Sequence, residues 1–288
     1  MTSSVLLQLI VSGLATGLVY ALVSTGLTLI WGLMNLVNFA HGEYLMVAMF
    51  SAYWFSTLYH WDPLVSFPLT VIAVTFLSGA TYYLLIRRLL TASVLAQVFA
   101  TFGLMVFLQN GMQFLFGPSF RSIPSPWLEG RIQLFGTYIG QAQTVAGAGA
   151  FVTTGALYWF MRHTDLGRAL DATSQDRGAA AAMGIDTNKM FMLAWAINGA
   201  LLGVAGSLIA SSYYVHPLVG QVFSLIAFVV VALGGFGSIE GAFVAGLFIG
   251  VFQTLCGFFL PSQIQLVPVY LLYIVIVLVR PQGLLGNR

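Results

Sequence analysis

Asn38, His41 and Glu43 fall together in an otherwise apolar stretch, Asn35-Leu36-Val37-Asn38-Phe39-Ala40-His41-Gly42-Glu43. An imidazole, a carboxylate and an amide in such surroundings relay protons or hold a polar solute. An ionisable group beside an apolar span is costly unless it lines water or finds a partner. His41 and Glu43 are two positions apart and do not share a helix face, so a relay through them requires another element. Gln109 and Asn110 are a second polar pair, deep in an apolar run. Amides there bond neighbouring helices or touch a zwitterionic solute. Asn198 and Gln253 read the same way.

The second interruption of the apolar runs, after Asn35 to Glu43, is Gly234-Gly235-Phe236-Gly237-Ser238-Ile239-Glu240-Gly241. Gly234, Gly235 and Gly237 would let a ligand approach the main chain. Backbone that leaves a helix within a membrane must face protein or water, because each unsatisfied amide or carbonyl costs several kcal/mol. Broken helices at the midplane recur as solute sites, with half-helix N-termini suited to a carboxylate. The alternative is that both interruptions are tight turns near the inner membrane face. Asn38, His41, Gly42, Glu43, Gln109, Asn110, Gly234, Gly235 and Gly237 are thus the candidate pathway residues.

Other chemistry finds no support. There is no GxxxxGK[ST], and the sole lysine, Lys189, follows Asn188. There is no HExxH, no GxSxG and no cysteine pair for a metal. His41, His60, His163 and His216 are scattered, with His60 and His216 in expected outer turns. Cys256, the single cysteine, sits in an apolar run as a small hydrophobe and excludes an intrachain disulfide. No metal site, no cofactor and no catalytic residue is expected.

The composition decides the class. The chain is 59% hydrophobic and 6% charged, against roughly 25% charged in soluble domains. Its solvent must largely be lipid. A net charge of +2 gives no reason to expect a nucleic-acid partner. The expectation is an all-α, polytopic transmembrane bundle, one domain over 1–288, with about 8–10 crossings and broken helices. Candidate spans are 5–30, 39–58, 64–86, 94–116, 143–161, 190–211, 221–234, 241–259 and 265–279, the seventh and last being short enough for half-helices or tilted pieces. The first run is too long for a signal-peptide core and reads as a retained helix.

Small residues recur at packing distance: Gly13 and Gly17, Gly199 and Gly203, Gly246 and Gly250. They let backbones approach in lipid. Arg87, Arg88, Arg162, Arg168, Arg177, Lys189, Arg280 and Arg288 fall on one side of the alternating spans, Arg121 and Arg131 on the other. The positive-inside bias then places the amino terminus outside and the carboxy terminus in the cytoplasm. Residues 162–189 hold eight of the eighteen charges. They are rich in helix formers and read as folded cytoplasmic structure offered to a partner. The outer loop 117–142, with Pro118, Pro124, Pro126, Trp127 and Tyr138, suits the membrane boundary.

In this order and spacing the pieces resemble a known family, the membrane permease subunits of branched-chain amino acid ABC importers. The matching pieces are Gly26-Leu27, Asn38 to Glu43, Phe107 to Asn110, Thr164 to Ala172, Gln175-Asp176, Ala182 to Ile185, Leu233 to Gly241, and Arg280 to Gly286. The sequence departs at Glu240, where many relatives carry proline or a small residue. The resemblance implies import of leucine, isoleucine or valine across the bacterial inner (plasma) membrane, with no enzymatic activity in this chain. Two cytoplasmic ATPase subunits would use the ATP. A homologous second permease and an external substrate-binding protein would complete the machine. The ATPase would dock on one helix spanning Leu166 to Gly184, including Gly167, Arg168, Ala169, Asp171, Gln175, Asp176 and Gly184. Urea or short amides are the alternative substrates. An ion-coupled secondary transporter, or a channel without energy coupling, are the alternative machines.

Overall fold

The computed structural model describes residues 3–134, 136–261, 263–280 and 283. Pro281, Gln282, Leu284 to Gly286 and Arg288, used above, lie outside the described residues. The chain is an all-α polytopic bundle. Its long helices are α1 (Ser3–Met34), α2 (His41–Tyr59), α3 (Pro63–Thr81), α5 (Val94–Phe116), α6 (Gln141–His163), α9 (Thr187–Ile209) and α11 (Ile239–Phe259). Helix α3 continues through a π-helical turn, Tyr82–Ile86, into α4 (Arg87–Leu89). Two shorter apolar helices, α10 (Val219–Gly234) and α12 (Val267–Val279), occupy the seventh and ninth expected spans. At about 1.5 Å per residue they reach roughly 24 and 20 Å, short of a full hydrocarbon core.

Local chemistry sets the boundaries. Asp62 Oδ1 accepts from Leu64 N at 2.9 Å, ahead of Pro63 at the first position of α3. Ser93 caps α5 through Ala96 N, and Asp186 caps α9 through Lys189 N. These side chains satisfy amides that a helix start leaves without partners. His60 ends α2 in a left-handed conformation, φ 53°. His216 Nδ1 accepts from Leu218 N just before α10.

Glycines set the seams. Helices α1 and α11 run antiparallel in backbone contact, Gly13 and Gly17 against Val251 and Leu247, and Gly246 against Ala21. A Cβ on Gly13 would lie 2.7 Å from Val251 Cα. Helices α3 and α9 pack the same way, Gly199 on Val74 and Thr75, Gly203 on Val71. The three glycine pairs singled out by spacing therefore all lie in helix seams.

Loop 117–142 holds a hairpin that the apolar pattern did not reveal: β1 (Arg131–Leu134) pairs antiparallel with β2 (Thr137–Gly140), Arg131 opposite Gly140. It marks one end of the bundle. The charged segment marks the other, and there the expected single helix is corrected. Leu166 to Gly184 is divided between α7 (Asp165–Gln175) and α8 (Arg177–Ala182). Asp176 is extended, φ −150° and ψ 105°, and its Oδ1 accepts from Gly178 N and Ala179 N. A carboxylate that caps a new helix ends the old one.

Candidate functional site

The first interruption is a re-entrant segment. Helix α1 ends at Met34 and Asn35 turns the chain with φ 51°. The chain then climbs back, because His41 Nε2 lies 3.0 Å from the Val23 carbonyl oxygen. Val23 is roughly 16 Å back along α1 from Met34, at about 1.5 Å per residue. Helix α2 therefore starts inside the bundle, well away from the end where α1 stops. A carbonyl only accepts, so Nε2 carries the proton.

The start of α2 is capped by protein. Ala40 N donates to Asn38 Oδ1 at 3.1 Å and His41 N to Asn38 O at 3.2 Å. Gly42 N donates to Ser224 Oγ on α10 at 2.7 Å, and Glu43 N to Ala40 O at 3.1 Å. The amides that the sequence offered to a carboxylate are thus engaged internally. Gly42 is obligatory: a Cβ there would collide with the Gly220 carbonyl oxygen and lie 2.6 Å from Ser224 Oγ.

Asn38, His41 and Glu43 are fully buried. Glu43 Oε1 accepts from Gln109 Nε2 on α5 at 2.8 Å. Thr101, lower on α5, donates to Val37 O at 3.1 Å. One face of α5 is therefore zipped to the re-entrant segment. Asn110 lies on another face, exposed, with Nδ2 on Val106 O of its own helix. Asn38 Nδ2, His41 Nδ1 and Glu43 Oε2 have no hydrogen-bond partner. Asn198 is buried on α9 beside Gly26, likewise unpartnered. Glu43→Gln keeps an oxygen for Gln109 and is expected to retain assembly and part of transport. Glu43→Leu strands the Gln109 amide at a cost of about 1–3 kcal/mol. A thermal-shift comparison of the two variants checks this, with the leucine variant melting lower.

The second interruption is a short turn joining α10 to α11. Gly235 has φ 104° and Gly237 φ 83°, and Gly235 N donates to Val231 O at 2.8 Å. Gly234 and Gly241 close it backbone to backbone, and Ser238 Oγ accepts from Gly241 N at 3.0 Å. It lies against the end of α1, with the Trp31 and Phe236 rings 4.6 Å apart and Gly237 on Gly32. Gly234 and Gly235 are buried and Gly237 is exposed. The structure thus separates the two groups: Asn38, His41, Gly42, Glu43 and Gln109 meet deep in the bundle, and the glycines meet at its charged end.

At that end Thr164 Oγ1 accepts from Gly167 N at 3.0 Å and starts α7. Gly167 presses on Phe160 and Met161 of α6, and Leu170 and Thr173 are buried. Arg168, Asp171, Gln175, Asp176 and Gly184 are exposed, and Ala169 is half-buried. Arg168 pairs with Asp165 at 2.5 Å, and Gln175 Nε2 donates to Asp171 Oδ2 at 3.2 Å. Met183, 84% exposed at the tip of α8, is an apolar side chain that charge reading passed over. The Asp186 carboxyl sits below its usual range because it accepts from the Lys189 amide.

Glu240 has a partner that the sequence did not reveal: its Oε1 lies 2.8 Å from Arg162 Nη2. The pair ties the end of α6 to the start of α11. Both side chains are largely exposed, and such pairs contribute little to stability. Glu240→Ala is expected to leave the melting temperature unchanged in a thermal-shift assay.

Comparison with known proteins decides the family. The model of the branched-chain amino acid transport system permease component matches residues 9–279. The chain belongs to this family. The permease is 30% identical to the high-affinity branched-chain amino acid transport system permease protein LivH of Salmonella typhimurium, over 98% of this chain and 96% of that one. It is likewise 30% identical to BraD of Pseudomonas aeruginosa, with the same coverage. LivM of Escherichia coli is 26% identical, over 93% of this permease and 68% of LivM.

Proposed function

We propose that this chain is a transmembrane permease subunit of an ATP-driven importer, carrying leucine, isoleucine and valine across the bacterial inner membrane. The observation that carries this is near-full-length similarity to LivH and BraD, whose names state that transport. The sequence has no P-loop. In this reading the energy comes from two ATPase subunits docked at the α7–α8 end. Exposed Arg168, Asp171, Gln175, Asp176 and Gly184 offer that docking surface. Gly167 holds it on α6, and Ala169 packs against the core. The matches to both LivH and LivM favour a second, homologous permease as partner. An external binding protein delivers the amino acid at the hairpin end, and the carboxy terminus faces the cytoplasm. Asn38, His41, Gly42, Glu43 and Gln109 form the broken-helix centre of the pathway, without Asn110, and Gly234, Gly235 and Gly237 are the hinge at its cytoplasmic end.

The test is uptake of labelled leucine into proteoliposomes holding the complete transporter, with ATP inside and binding protein outside. Accumulation is expected to vanish when the ATPase is catalytically dead and to survive a proton uncoupler. Uptake with the opposite sensitivities would establish an ion-coupled carrier.

A further inference from the structure

A crevice of about 630 Å³ opens at the hairpin end between α1, α10 and α11. A smaller pocket of about 190 Å³ adjoins it and shares Thr16, Tyr20 and Tyr213. Together they fall within the range of roughly 300–1,000 Å³ typical of small-molecule sites. The mouth is aromatic, with Phe120 and His216 rings 4.5 Å apart and Tyr214 edge-on to Phe120. The inner wall is Tyr20, Tyr213 and Phe223, with Tyr213 and Phe223 rings 5.5 Å apart.

Its polar groups are hydroxyls, amides and one imidazole. Tyr20, 3% exposed, directs its hydroxyl at Gln253 and Tyr213. Gln253 Oε1 is buried without a hydrogen-bond partner. Thr16, Thr254 and Gln265 add to the polar lining of the crevice and Gln143 and Ser212 to that of the smaller pocket, and among the described residues no Asp, Glu, Lys or Arg takes part. Such walls offer no fixed counter-charge to a net-charged solute, while their hydroxyls and amides can hydrogen-bond to both ends of a net-neutral one. They fit a small, net-neutral solute with hydrogen-bonding groups and an aliphatic side.

The crevice also has a direction. Phe223 lines it, and the next residue, Ser224, caps α2 through Gly42 N. Val219 lines it, and the next residue, Gly220, packs on Gly42 and beside Glu43 Oε2. Tyr20 stands one turn from Val23, whose carbonyl accepts a hydrogen bond from His41 Nε2. The floor is thus the far side of the α10 turn that holds the re-entrant segment. We propose that the crevice is a solute-binding vestibule contained within one permease subunit, taking a net-neutral amphiphile such as an aliphatic amino-acid zwitterion. The amino-acid identity rests on the proposed function; the vestibule itself does not.

Thiol protection tests it. In the complete transporter carrying Cys256→Ser and Thr254→Cys, a membrane-impermeant maleimide applied on the hairpin side is expected to label residue 254. Leucine at ten times its Kd should slow labelling about tenfold by occupancy. Gln253→Leu should raise the KM for leucine about tenfold, the value of one hydrogen bond to a ligand, and weaken the protection equally. Protection by acetamide and not by leucine would uphold the vestibule and overturn the amino-acid reading. Absence of labelling, labelling that neither solute slows, or equal protection by lysine and glutamate would overturn the vestibule.

Discussion

Gly42→Val is expected to abolish assembly of the permease. The new side chain would meet Ser224 Oγ and the Gly220 carbonyl, and the carbonyl, being backbone, cannot swing aside. Overpacked cores usually lose about 1–3 kcal/mol because side chains can shift. Here α2 itself would have to leave α10. The Gly42–Ser224 hydrogen bond, 2.7 Å long, would break with it. That strands a buried amide for a further ~1–3 kcal/mol. The yield of monodisperse protein after extraction measures this, and it should fall to background. Ser224→Ala loses only the bond and should give an intermediate yield. A Gly42→Val variant that extracts and melts like the parent would show that the two helices do not meet as described.

Gly167→Val should separate assembly from energy coupling. Gly167 lies where α7 folds back on α6, and a Cβ there would sit 2.6 Å from Met161 Cα and from its carbonyl oxygen. The clash is at the edge of the membrane domain, so the bundle should still form. Helix α7 must tilt away, carrying α8 and the exposed Met183 with it. Under the proposed function, ATPase subunits should then co-purify at less than about a tenth of the parental level, the equivalent of roughly 1.4 kcal/mol of lost docking energy. Leucine uptake should fall in parallel. Full recovery of both ATPase subunits with the variant would place the docking surface elsewhere.

Much of this bundle is legible in its sequence for a simple reason. A membrane span is a length and a composition, and both are local properties. The span expected at 94–116 is Val94–Phe116, bracketed by Ser93 and Gly117. Glycine spacing marked Gly13 and Gly17, Gly199 and Gly203, and Gly246 and Gly250 as packing positions, and the structure supplies which helices they meet. What stayed hidden depends on distant residues. That Asn35 to Ala40 forms a climb and not a turn is decided by Val23, Thr101 and Ser224, which lie on three other helices. The Glu43–Gln109 bond is of the same kind. The break at Asp176 was closer to hand, since an aspartate two and three residues before free amides is a capping pattern. Strong helix formers on both sides concealed it. The vestibule was the least accessible, because Tyr20, Tyr213 and Gln253 come from α1, the α9–α10 loop and α11, and none belongs to a motif.

The α1–α11 seam imposes an order of biogenesis. Helix α1 leaves the ribosome long before α11, yet the helix that must cover its backbone surface around Gly13 and Gly17 starts only at Ile239. During synthesis α1 must wait in the bilayer with this groove open to lipid, and topology rather than local propensity then sets the pace of completion. Nascent chains halted before α11 should remain open to crosslinking along the glycine face of α1. Chains released after Phe259 should close it.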